Sequence, residues 1–578
     1  MENLKYSEIL QQNRAMSQND NGATYKVTIL ANITTNSIKE LLEYQLRINN
    51  LNPIVAFGNF DTIVQDSMNC KDSNLVIIFY DMLTIVNGLS DFFESLPDDF
   101  FITLKNKIFS EIDILFDNLK DCPSVIFNSF SSTAFISSFV FKNNLDLFVT
   151  DLNKYITEKT QNNVSFLSLD KIIAQLGINQ AFDFRLFHSS KAPYTIAFLK
   201  KYVLAIEPII LRNTGKLKKA LVFDCDNTLW KGIIGEQNAD TLEMSNRTKD
   251  GSIFKRIQQL AVYLSRQGVI IGICSKNNES DIAEIFANHS DCILKDEHII
   301  IKKINWDDKA TNLRSIAKEL NIGLDSIVFV DDSSFEINLI KEQLPEIVYL
   351  QVPNTLTEYP NSLLKLVYSY FNITINKDDI QKTEIYKQQF LRENVRNNYK
   401  SIDEYLASLG IVVSIFRNEK SQIARISQLT QKTNQFNLTT KRFTENQIAT
   451  IIESSIHQVF SASITDKFGD NGLTLICILQ TDNSNKSTAI IDTLLMSCRI
   501  IGRNIEFAFM DFLIQKLLEQ NFKTIYAEYI PTNKNSQVES FYDNLGFTVL
   551  EKTKSVTKYS LNLLDYNFKK IDYITTEF

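Results

Sequence analysis

Four sets of polar residues that suit phosphoryl chemistry follow one another in fixed order through the middle of this 578-residue chain. A phosphoryl group carries negative charge on its oxygens, so a carboxylate can attack it only where positive charge neutralises those oxygens. Carboxylates, hydroxyls and a lysine together supply a nucleophile and that neutralisation. The sets are Asp224, Asp226 and Thr228; Cys274, Ser275, Lys276 and Asn277; Lys309; and Asp331 with Asp332.

The carboxylates of these sets predict a magnesium site. Mg²⁺ is a hard cation that proteins hold with a few carboxylate oxygens while substrate phosphate completes the shell. Asp224 and Asp331 are the primary candidate ligands, with Asp332 in support. Asp226 completes the acidic set from which the metal ligands are expected.

The remaining roles follow from the chemistry of each side chain. Asp224 is the predicted nucleophile, and the aspartyl-phosphate that it forms divides one difficult step into two easier ones. Asp226, two residues further on, can protonate the leaving oxygen and then activate water. Lys309 supplies a second positive charge. The hydroxyls of Thr228 and Ser275 can donate to phosphoryl oxygens.

Apolar runs precede three of the four sets, and they predict the strands that carry these residues. Ligands of open α/β sheets bind beyond the carboxyl ends of the strands, so the sets should meet at one edge of a parallel sheet. Trp230 and Lys231 are expected in a flap over the site, although Trp230 could instead cap the core. The predicted strands are 220–223, 269–274 and 327–330, and the predicted helices are 252–267, 280–287, 308–320 and 335–343.

The flanking segments predict two further domains. Strands at 25–32, 53–57, 75–80, 124–130 and 165–167, with helices at 37–47 and 100–119, indicate an α/β unit before the central one. The segment Pro208 to Lys219 contains Pro, Gly and basic residues that are typical of a domain junction. The charged run 377–400 is typical of a helical connector. The expected fold class is multidomain α/β, with domains at 1–215, 216–375 and 376–578.

The central strings resemble a known family. The pattern D-x-D-x-T, Ser, Lys and paired Asp is similar to haloacid dehalogenase (HAD) phosphatases, and DNTLWKGIIGE, CSKN, INWDDK and FVDDSSFE resemble its FkbH-like subclass IIIC. This resemblance implies a Rossmann-like HAD domain between an SGNH-like α/β domain and a GNAT-like α+β domain. It also implies a Mg²⁺-dependent phosphatase.

The FkbH-like resemblance implies a more specific activity as well. Such proteins are similar to enzymes that dephosphorylate 1,3-bisphosphoglycerate and leave a glyceryl thioester on an acyl carrier protein in polyketide or related biosynthesis. A thioester transfer needs a thiol, and Cys274 beside Ser275 is the first candidate, with Cys498 the second. The alternative for Cys274 is a small buried hydrophobe. Cys225 is expected in the core.

The N-terminal strings depart from the SGNH pattern. Asn32 stands where such hydrolases place a nucleophilic Ser, and Asp183 and His188 are five residues apart instead of three. Ser37 is predicted to be a helix N-cap. This domain is therefore predicted to be a scaffold or docking surface.

The C-terminal strings resemble GNAT acyltransferases. Arg499, Gly502 and Arg503 lie where those enzymes have a turn that holds the CoA pyrophosphate at a helix N-terminus, but Asn504 replaces the expected Gly or Ala. The matching cofactor-contacting positions are Asn535 and Tyr542, and Tyr542 could equally be a packed aromatic. The resemblance implies CoA or the phosphopantetheine arm of a carrier protein as a ligand, while simple interdomain packing is the alternative for this region.

Composition excludes several classes of function. With a net charge of −8 and a pI near 5.4, the chain lacks the clustered basic residues expected of a nucleic-acid binder. No apolar run approaches the ~18 residues of a membrane span, and the polar N-terminus predicts a cytoplasmic location. Seven scattered cysteines and four histidines indicate neither disulfides nor a zinc site. The alternatives to acyl delivery are a plain small-molecule phosphatase and a non-catalytic carrier-protein docking module.

Overall fold

The computed structural model describes residues 1, 4–18, 22–86, 93, 96–135, 143–371, 399, 401–481, 487–532 and 534–578. The chain divides into two compact units, Met1–Asn213 and Thr214–Phe578. The connector predicted at 377–400 lies, except for Tyr399, outside the described residues.

The first unit is built on a five-stranded sheet in which every neighbouring pair is parallel, in the order β2-β1-β3-β4-β5. Its third strand is buried at every position and the fourth likewise, as expected of a sheet covered on both faces. The doubly wound α/β prediction is confirmed. The strands are β1 (Ala23–Ala31), β2 (Leu51–Phe57), β3 (Leu75–Phe79), β4 (Val125–Asn128) and β5 (Val164–Leu167).

Ten helices accompany this sheet among the described residues. The boundary between the two units, after Asn213, lies within the predicted junction Pro208 to Lys219. Pro208 itself lies inside the last helix, between the fully buried Ile206 and Ile210. The helices are α1 (Tyr6–Ser17), α2 (Ile38–Ile48), α3 (Ile63–Ser67), α4 (Met82–Ile85), α5 (Asp98–Leu119), α6 (Asn144–Lys159), α7 (Leu169–Leu176), α8 (Ile178–Ala181), α9 (Phe184–Ser190) and α10 (Ile196–Asn213).

The second unit begins with another parallel five-stranded sheet, in the order β10-β9-β6-β7-β8. The middle strand is the one that leads into Asp224. The strands are β6 (Ala220–Phe223), β7 (Ile270–Ser275), β8 (Ile301–Ile304), β9 (Ile327–Asp331) and β10 (Val348–Gln351), and the helices are α11 (Lys249–Arg266), α12 (Glu279–Asn288), α13 (Lys309–Glu319), α14 (Ser334–Gln343) and α15 (Tyr359–Tyr370).

Two apolar clusters cover the two faces of this sheet. One contains Phe223, Trp230 and Ile273, and the other contains Val222, Cys274 and Phe329. Successive side chains of a strand point to opposite faces, so each strand contributes to both clusters. The sheet therefore holds its strand ends rigidly.

The rest of the second unit is a mixed sheet in the order β17-β18-β16-β15-β14-β13-β11-β19. Its neighbours are antiparallel except for the β15–β16 and β11–β19 pairs. The strands are β11 (Ile411–Arg417), β12 (Phe436–Asn437), β13 (His457–Asp466), β14 (Gly469–Thr481), β15 (Thr488–Met496), β16 (Thr524–Tyr529), β17 (Thr548–Lys552), β18 (Thr557–Asn562) and β19 (Ile574–Glu577), and the helices are α16 (Ile402–Ala407), α17 (Ile423–Lys432), α18 (Glu445–Glu453), α19 (Ile505–Glu519) and α20 (Phe541–Asn544).

A short segment of the chain fills the gap where β15 and β16 separate. The pairing of these parallel strands ends at Ile491 and Ala527. Beyond these two residues, β12 pairs with the end of β15. On the other side of this segment, the backbone carbonyl of Leu438 accepts a hydrogen bond from the backbone N–H of Ile530 at 2.8 Å. Leu438 is fully buried, so this wedge is part of the core.

Candidate active site

The four predicted sets meet at the carboxyl edge of the β10-β9-β6-β7-β8 sheet. Phe223 pairs with Val330 on one side and with Ile273 on the other, which places the next residue, Asp224, level with Asp331 on β9 and with Cys274 on β7, one residue before Ser275. The backbone N–H of Asp224 continues this pairing by donating to the Val330 carbonyl at 2.9 Å. The register of three parallel strands therefore assembles the site.

Lys309 connects the acidic residues of the site. As the first residue of α13, it donates from Nζ to Asp224 Oδ1 at 2.7 Å and to Asp331 Oδ2 at 2.5 Å. The Ser275 hydroxyl donates to the same Asp224 oxygen at 2.8 Å. All four side chains are at most 6% exposed. Burial opposes the charged amine, but the two carboxylates dominate and raise the pKa of Lys309, so the lysine is a cation here.

Three carboxylates fit a divalent cation. Oxygens of Asp224, Asp331 and Asp332 lie within 4.8 Å of one another, and they form the single group of potential metal ligands among the described residues. Burial and the Asp224 charge raise the pKa of Asp331 to about 7. Lys309 alone does not offset three carboxylates, so a second cation is needed to keep them all ionised. Oxygen donors of this kind suit Mg²⁺.

We expect Mg²⁺ to stabilise the protein through Asp331. A ligand at ~100 times its Kd adds about 2.7 kcal/mol to the free energy of unfolding, so thermal unfolding of metal-free protein should shift upward on Mg²⁺ addition. Asp331→Asn should lose most of this shift, whereas Asp296→Asn, at an exposed carboxylate paired with Lys302, should keep it. Equal shifts in both variants would place the metal elsewhere.

Thr228 is buried with an unused hydroxyl. Its side chain is 0% exposed and Oγ1 has no hydrogen-bond partner in the described part of the chain. A buried polar group without a partner is costly, and a phosphoryl oxygen would satisfy it. The preceding Asn227 has a left-handed backbone, φ 52°, which turns the chain directly after β6. The prediction that Thr228 contacts phosphate fits this geometry.

Asp226 lies outside the three-carboxylate group and is held by three donors. Its Oδ1 accepts from the Trp230 indole at 2.9 Å and from the Ile234 backbone N–H at 3.4 Å, and its Oδ2 accepts from Asn277 Nδ2 at 3.1 Å. Burial raises the pKa of Asp226. This geometry fits the predicted acid–base role of the side chain, and its inclusion among the side-chain metal ligands is not supported.

Trp230 and Asn277 were the parts of the site that sequence reasoning did not assign. Trp230 is fully buried in the core and does not lie in an exposed flap. Lys231 is half exposed and pairs with Asp250 at 2.5 Å. Sequence could have indicated Asn277 by its position two residues after Ser275. It follows the end of β7, and Asp226 follows the end of the neighbouring strand β6.

Cys274 does not face the site, and its predicted role as an acyl carrier is corrected here. Side chains alternate along β7, so Ser275 points to Asp224 while Cys274 enters the opposite apolar cluster and is fully buried. Burial raises the pKa of its thiol to about 12. A neutral, enclosed thiol is a poor nucleophile, so Cys274 is a small hydrophobic core residue.

Comparison with solved structures identifies a similar fold. The N-terminal part of the protein BF1531 from Bacteroides fragilis, which contains a phosphatase domain complexed with Mg, matches with a TM-score of 0.56 and 24% identity. The match covers 64% of this chain and 100% of that one. This chain shares its fold. No family model matches the sequence, and no curated protein matches it.

Acetyltransferase structures match a smaller part of the chain. The ribosomal-protein-S18-alanine N-acetyltransferase from Escherichia coli matches with a TM-score of 0.21 and 15% identity, over 26% of this chain and 94% of that one. A probable acetyltransferase from Staphylococcus epidermidis gives 0.22 and 15%, over 26% and 98%. At these TM-scores the strand order given above describes the C-terminal sheet better than either likeness.

The predicted CoA turn is occupied by the protein's own contacts. Arg503 is 6% exposed and forms an ion pair with the buried Asp466 at 3.0 Å, and it also donates to the Arg499 carbonyl at 2.8 Å. Asn504 has the left-handed backbone that the turn needs, φ 62°, but its amide donates to the Tyr573 hydroxyl at 2.6 Å. These side chains stabilise the fold instead of facing a ligand.

The helix start that should receive a pyrophosphate also carries a carboxylate. Glu506 is the second residue of α19, and its Oε2 is buried without a hydrogen-bond partner among the described residues. Burial raises the pKa of this carboxyl. The carboxyl group competes with a pyrophosphate for the positive end of the helix dipole, so the implied CoA site around Arg499, Gly502 and Arg503 is not supported.

Asn535 and Tyr542 are likewise turned inward, which corrects their predicted cofactor contacts. The Asn535 amide donates to the carbonyls of Asn437 and Ile530, both at 2.9 Å, and its oxygen accepts from the Thr532 N–H at 2.7 Å. Tyr542 is 0% exposed among aromatic rings, and its hydroxyl has no hydrogen-bond partner in the described residues. The packing alternative for Tyr542 holds.

Substitution of Tyr542 should leave the free energy of unfolding nearly unchanged or raise it, whereas substitution of Asn535 should lower it. Tyr542→Phe removes an unsatisfied hydroxyl, so the free energy of unfolding should stay within ~1 kcal/mol of wild type or rise. Asn535→Ala strands buried partners and should cost about 2–4 kcal/mol. Urea unfolding of the full chain measures both. A loss above ~2 kcal/mol in Tyr542→Phe would show that the hydroxyl has a partner.

The first unit shows no Ser–His hydrolase arrangement among its described residues. Asn32, in the nucleophile position, exchanges hydrogen bonds with the backbone of Asp81 and so joins the ends of β1 and β3. Asp183 caps α9 and binds Arg185 at 2.8 Å, whereas His188 is exposed on the same helix. Ser37 precedes α2 without a side-chain cap, so its predicted capping role is wrong. The scaffold role remains a prediction.

The described helices include none with the length and apolar character required to traverse a bilayer.

Proposed function

We propose that the chain is a Mg²⁺-dependent phosphohydrolase that works through an aspartyl-phosphate on Asp224. The observation that carries this proposal is the buried Lys309, which binds both Asp224 and Asp331 while Ser275 donates to Asp224. A nucleophile, a fixed cation and three carboxylates for a metal lie together at the carboxyl edge of a parallel sheet.

The residues of the site account for both half-reactions. The Asp224 carboxylate attacks phosphorus, and Asp226 gives its proton to the leaving oxygen, which keeps the electrons of the broken bond. Asp226 then takes a proton from the water that hydrolyses the aspartyl-phosphate. Lys309, Ser275 and the free Thr228 hydroxyl donate to negative oxygen. Mg²⁺ held by Asp224, Asp331 and Asp332 would neutralise charge on the transferring group.

The geometry favours a working site over a vestigial docking module. A buried cluster of like charges raises the energy of the folded state unless it serves a ligand, and a protein that kept only a docking surface would not need it. Lys309 also forms ion pairs with both Asp224 and Asp331. The plain small-molecule phosphatase is therefore the minimal form of the proposal.

The second candidate adds delivery of an acyl group to an acyl carrier protein, as the sequence resemblance implies. It is favoured by Cys498, the one cysteine of seven that is not fully buried. The Lys219 ammonium lies 3.6 Å from its thiol, so a cation stands beside the sulfur that would carry the acyl group. In this form the substrate is a phosphorylated three-carbon acyl donor such as 1,3-bisphosphoglycerate.

The position of Cys498 sets a condition on that candidate. Lys219 precedes β6 and Asp224 follows it, so the thiol and the nucleophile lie at opposite ends of the strand. At ~3.3 Å per residue the backbone from Lys219 to Asp224 spans roughly 16 Å. Placement at opposite ends of the strand favours transfer of the acyl group on a mobile arm, as the phosphopantetheine of a carrier would provide.

One experiment separates these functions. The protein is incubated with 1,3-bisphosphoglycerate, Mg²⁺ and a phosphopantetheinylated carrier, and free phosphate and intact masses are recorded. A glyceryl adduct on the carrier supports acyl delivery, and phosphate release without an adduct supports the plain phosphatase. No reaction in either channel would leave the docking module. An adduct on the protein should disappear in Cys498→Ser and persist in Cys274→Ser.

A further inference from the structure

The indole of Trp230 lies against the acid–base residue of the proposed reaction. Trp230 follows Asp226 by four residues, forms an isolated β-bridge with it, and donates from Nε1 to its Oδ1 at 2.9 Å. The ring is fully buried and packs edge-on against Phe286 of α12, with centroids 6.0 Å apart. Trp230 is therefore fixed by the core on one side and by Asp226 on the other.

The donors around Asp226 are unevenly distributed between its two oxygens. An ionised carboxylate offers about four lone-pair positions, two on each oxygen. On Oδ1 both are used, one by the Trp230 indole and one by the Ile234 backbone N–H. On Oδ2 one is used, by Asn277 Nδ2 at 3.1 Å. Among the described residues, the one position of this carboxylate without a donor is on Oδ2.

The chemistry of the donors decides which oxygen of Asp226 can bind a proton without losing a contact. An indole N–H and a backbone N–H can only donate, so neither can accept a hydrogen bond from a protonated Oδ1. A proton on Oδ1 would have to displace one of them. A proton on Oδ2 leaves all three contacts intact.

We propose that Trp230 is a positioning residue that keeps the transferable proton of Asp226 on Oδ2. The inference rests on the proposed phosphohydrolase function. In the first half-reaction the O–H bond at Oδ2 breaks as the leaving oxygen takes the proton and retains the electron pair of its bond to phosphorus. In the second, a proton of the attacking water returns to Oδ2, while Asp224 regains its electron pair as its bond to phosphorus breaks.

Substrates that differ in their need for this proton test the inference. Glycerol 3-phosphate leaves as an alkoxide and requires the proton, whereas the leaving anion of p-nitrophenyl phosphate is stable without it. Trp230→Phe removes the donor but keeps an aromatic ring. We expect kcat for glycerol 3-phosphate to fall ~10- to 100-fold, with KM nearly unchanged and kcat for p-nitrophenyl phosphate within ~3-fold. Equal losses on both substrates would overturn the inference.

A double-variant comparison and a packing control sharpen the result. Asp226→Asn removes both the proton and the base for hydrolysis, so its kcat should fall on both substrates, whereas its kcat/KM, which reports the first half-reaction, should fall selectively for glycerol 3-phosphate. Adding Trp230→Phe to it should change this selectivity in kcat/KM no further, because the proton is already gone. Phe286→Leu removes the ring beside the indole but keeps its N–H, so it should lower both activities alike or neither. Selectivity in Phe286→Leu, or additive selectivity in the double variant, would contradict the inference.

An NMR measurement covers the case in which Trp230→Phe does not fold. The chain has two tryptophans, and Trp306 is 71% exposed, so Trp306→Phe leaves one indole N–H resonance. That resonance should shift upfield when Asp226→Ala removes its acceptor, and an unchanged shift would show that the bond is absent. If the wild-type protein releases phosphate from neither substrate, the proposed function itself fails, which is a different outcome from equal losses in Trp230→Phe.

Discussion

Asp224→Asn is expected to abolish phosphate release while leaving the fold intact. The amide has the shape of the carboxylate, and its oxygen can still accept from Ser275 and Lys309 at the positions found for Oδ1, 2.8 and 2.7 Å. It has no anionic oxygen to attack phosphorus, however, so covalent catalysis is lost. We expect kcat to fall at least ~10³-fold, measured by phosphate release under saturating Mg²⁺.

The control for this variant removes a carboxylate of similar pairing but different location. Asp250 binds Lys231 at 2.5 Å, and both side chains are partly exposed. Asp250→Asn should retain the wild-type rate, because a surface pair contributes little to stability and does not contact the site. If Asp224→Asn retained a tenth of the wild-type activity, Asp224 would not be the nucleophile.

Lys309→Met is expected to lower both activity and stability by large amounts. Methionine is close to lysine in length but carries no charge, so Asp224 and Asp331, at most 6% exposed, lose their shared cation. Breaking a buried ion pair by removing one partner costs about 3–5 kcal/mol. Urea unfolding of metal-free protein should show this loss, followed by the fluorescence of Trp230 in a Trp306→Phe background.

The pH dependence of this loss distinguishes charge from packing. In the wild type the Lys309 charge lowers the pKa of Asp331 against the effects of burial and of Asp224, so without this cation the pKa must rise further and the carboxyl binds a proton more readily in the variant. Protonation relieves the uncompensated charge, and the deficit should shrink as the pH falls. Added Mg²⁺ should shrink it too. A deficit that is independent of both pH and Mg²⁺ would point to lost packing of the lysine stem.

A surface pair again provides the matched control. Lys231→Met removes the same side chain from a partly exposed pair and should change the free energy of unfolding by about 0–1 kcal/mol. Comparable losses in Lys231→Met and Lys309→Met would show that burial of the charge network does not matter. We expect the two values to differ several-fold.

The sequence predicted the residues of the phosphoryl site because three of the four sets follow an apolar strand directly. Parallel strands bring their carboxyl ends to one edge, so Asp224, Ser275 and Asp331 could be placed together without any knowledge of distances. The edge strands β8 and β10 were not predicted, since each has only four residues and includes half-buried or exposed positions. A short edge strand lacks the continuous apolar run that marks a buried one.

The misassigned residues depend on contacts that sequence order does not reveal. Alternation along β7 already implies that Cys274 and Ser275 face opposite sides, so the burial of Cys274 was accessible from the pattern. The roles of Asn535 and Arg503 were not, because their partners Asn437 and Asp466 are 98 and 37 residues away in the chain. Motif positions alone could not show that these side chains stabilise the sheet.

The position of Trp230 illustrates the same limit at short range. Four residues separate it from Asp226, but the left-handed backbone of Asn227 decides whether the indole reaches the carboxylate or extends over the surface. An Asn tolerates this conformation without requiring it. Both the flap and the core readings were therefore consistent with the sequence.

The most direct test of the central claim is chemical trapping of the aspartyl-phosphate. The protein is mixed with p-nitrophenyl phosphate and Mg²⁺, quenched in acid and treated with borohydride, which reduces an acyl phosphate to the alcohol, and the peptide carrying residues 220–231 is analysed by mass spectrometry. The account predicts reduction at Asp224, with more accumulated in Asp226→Asn, where the base for hydrolysis is missing. Phosphate release with no reduction at Asp224, or with reduction at another carboxylate, would contradict it.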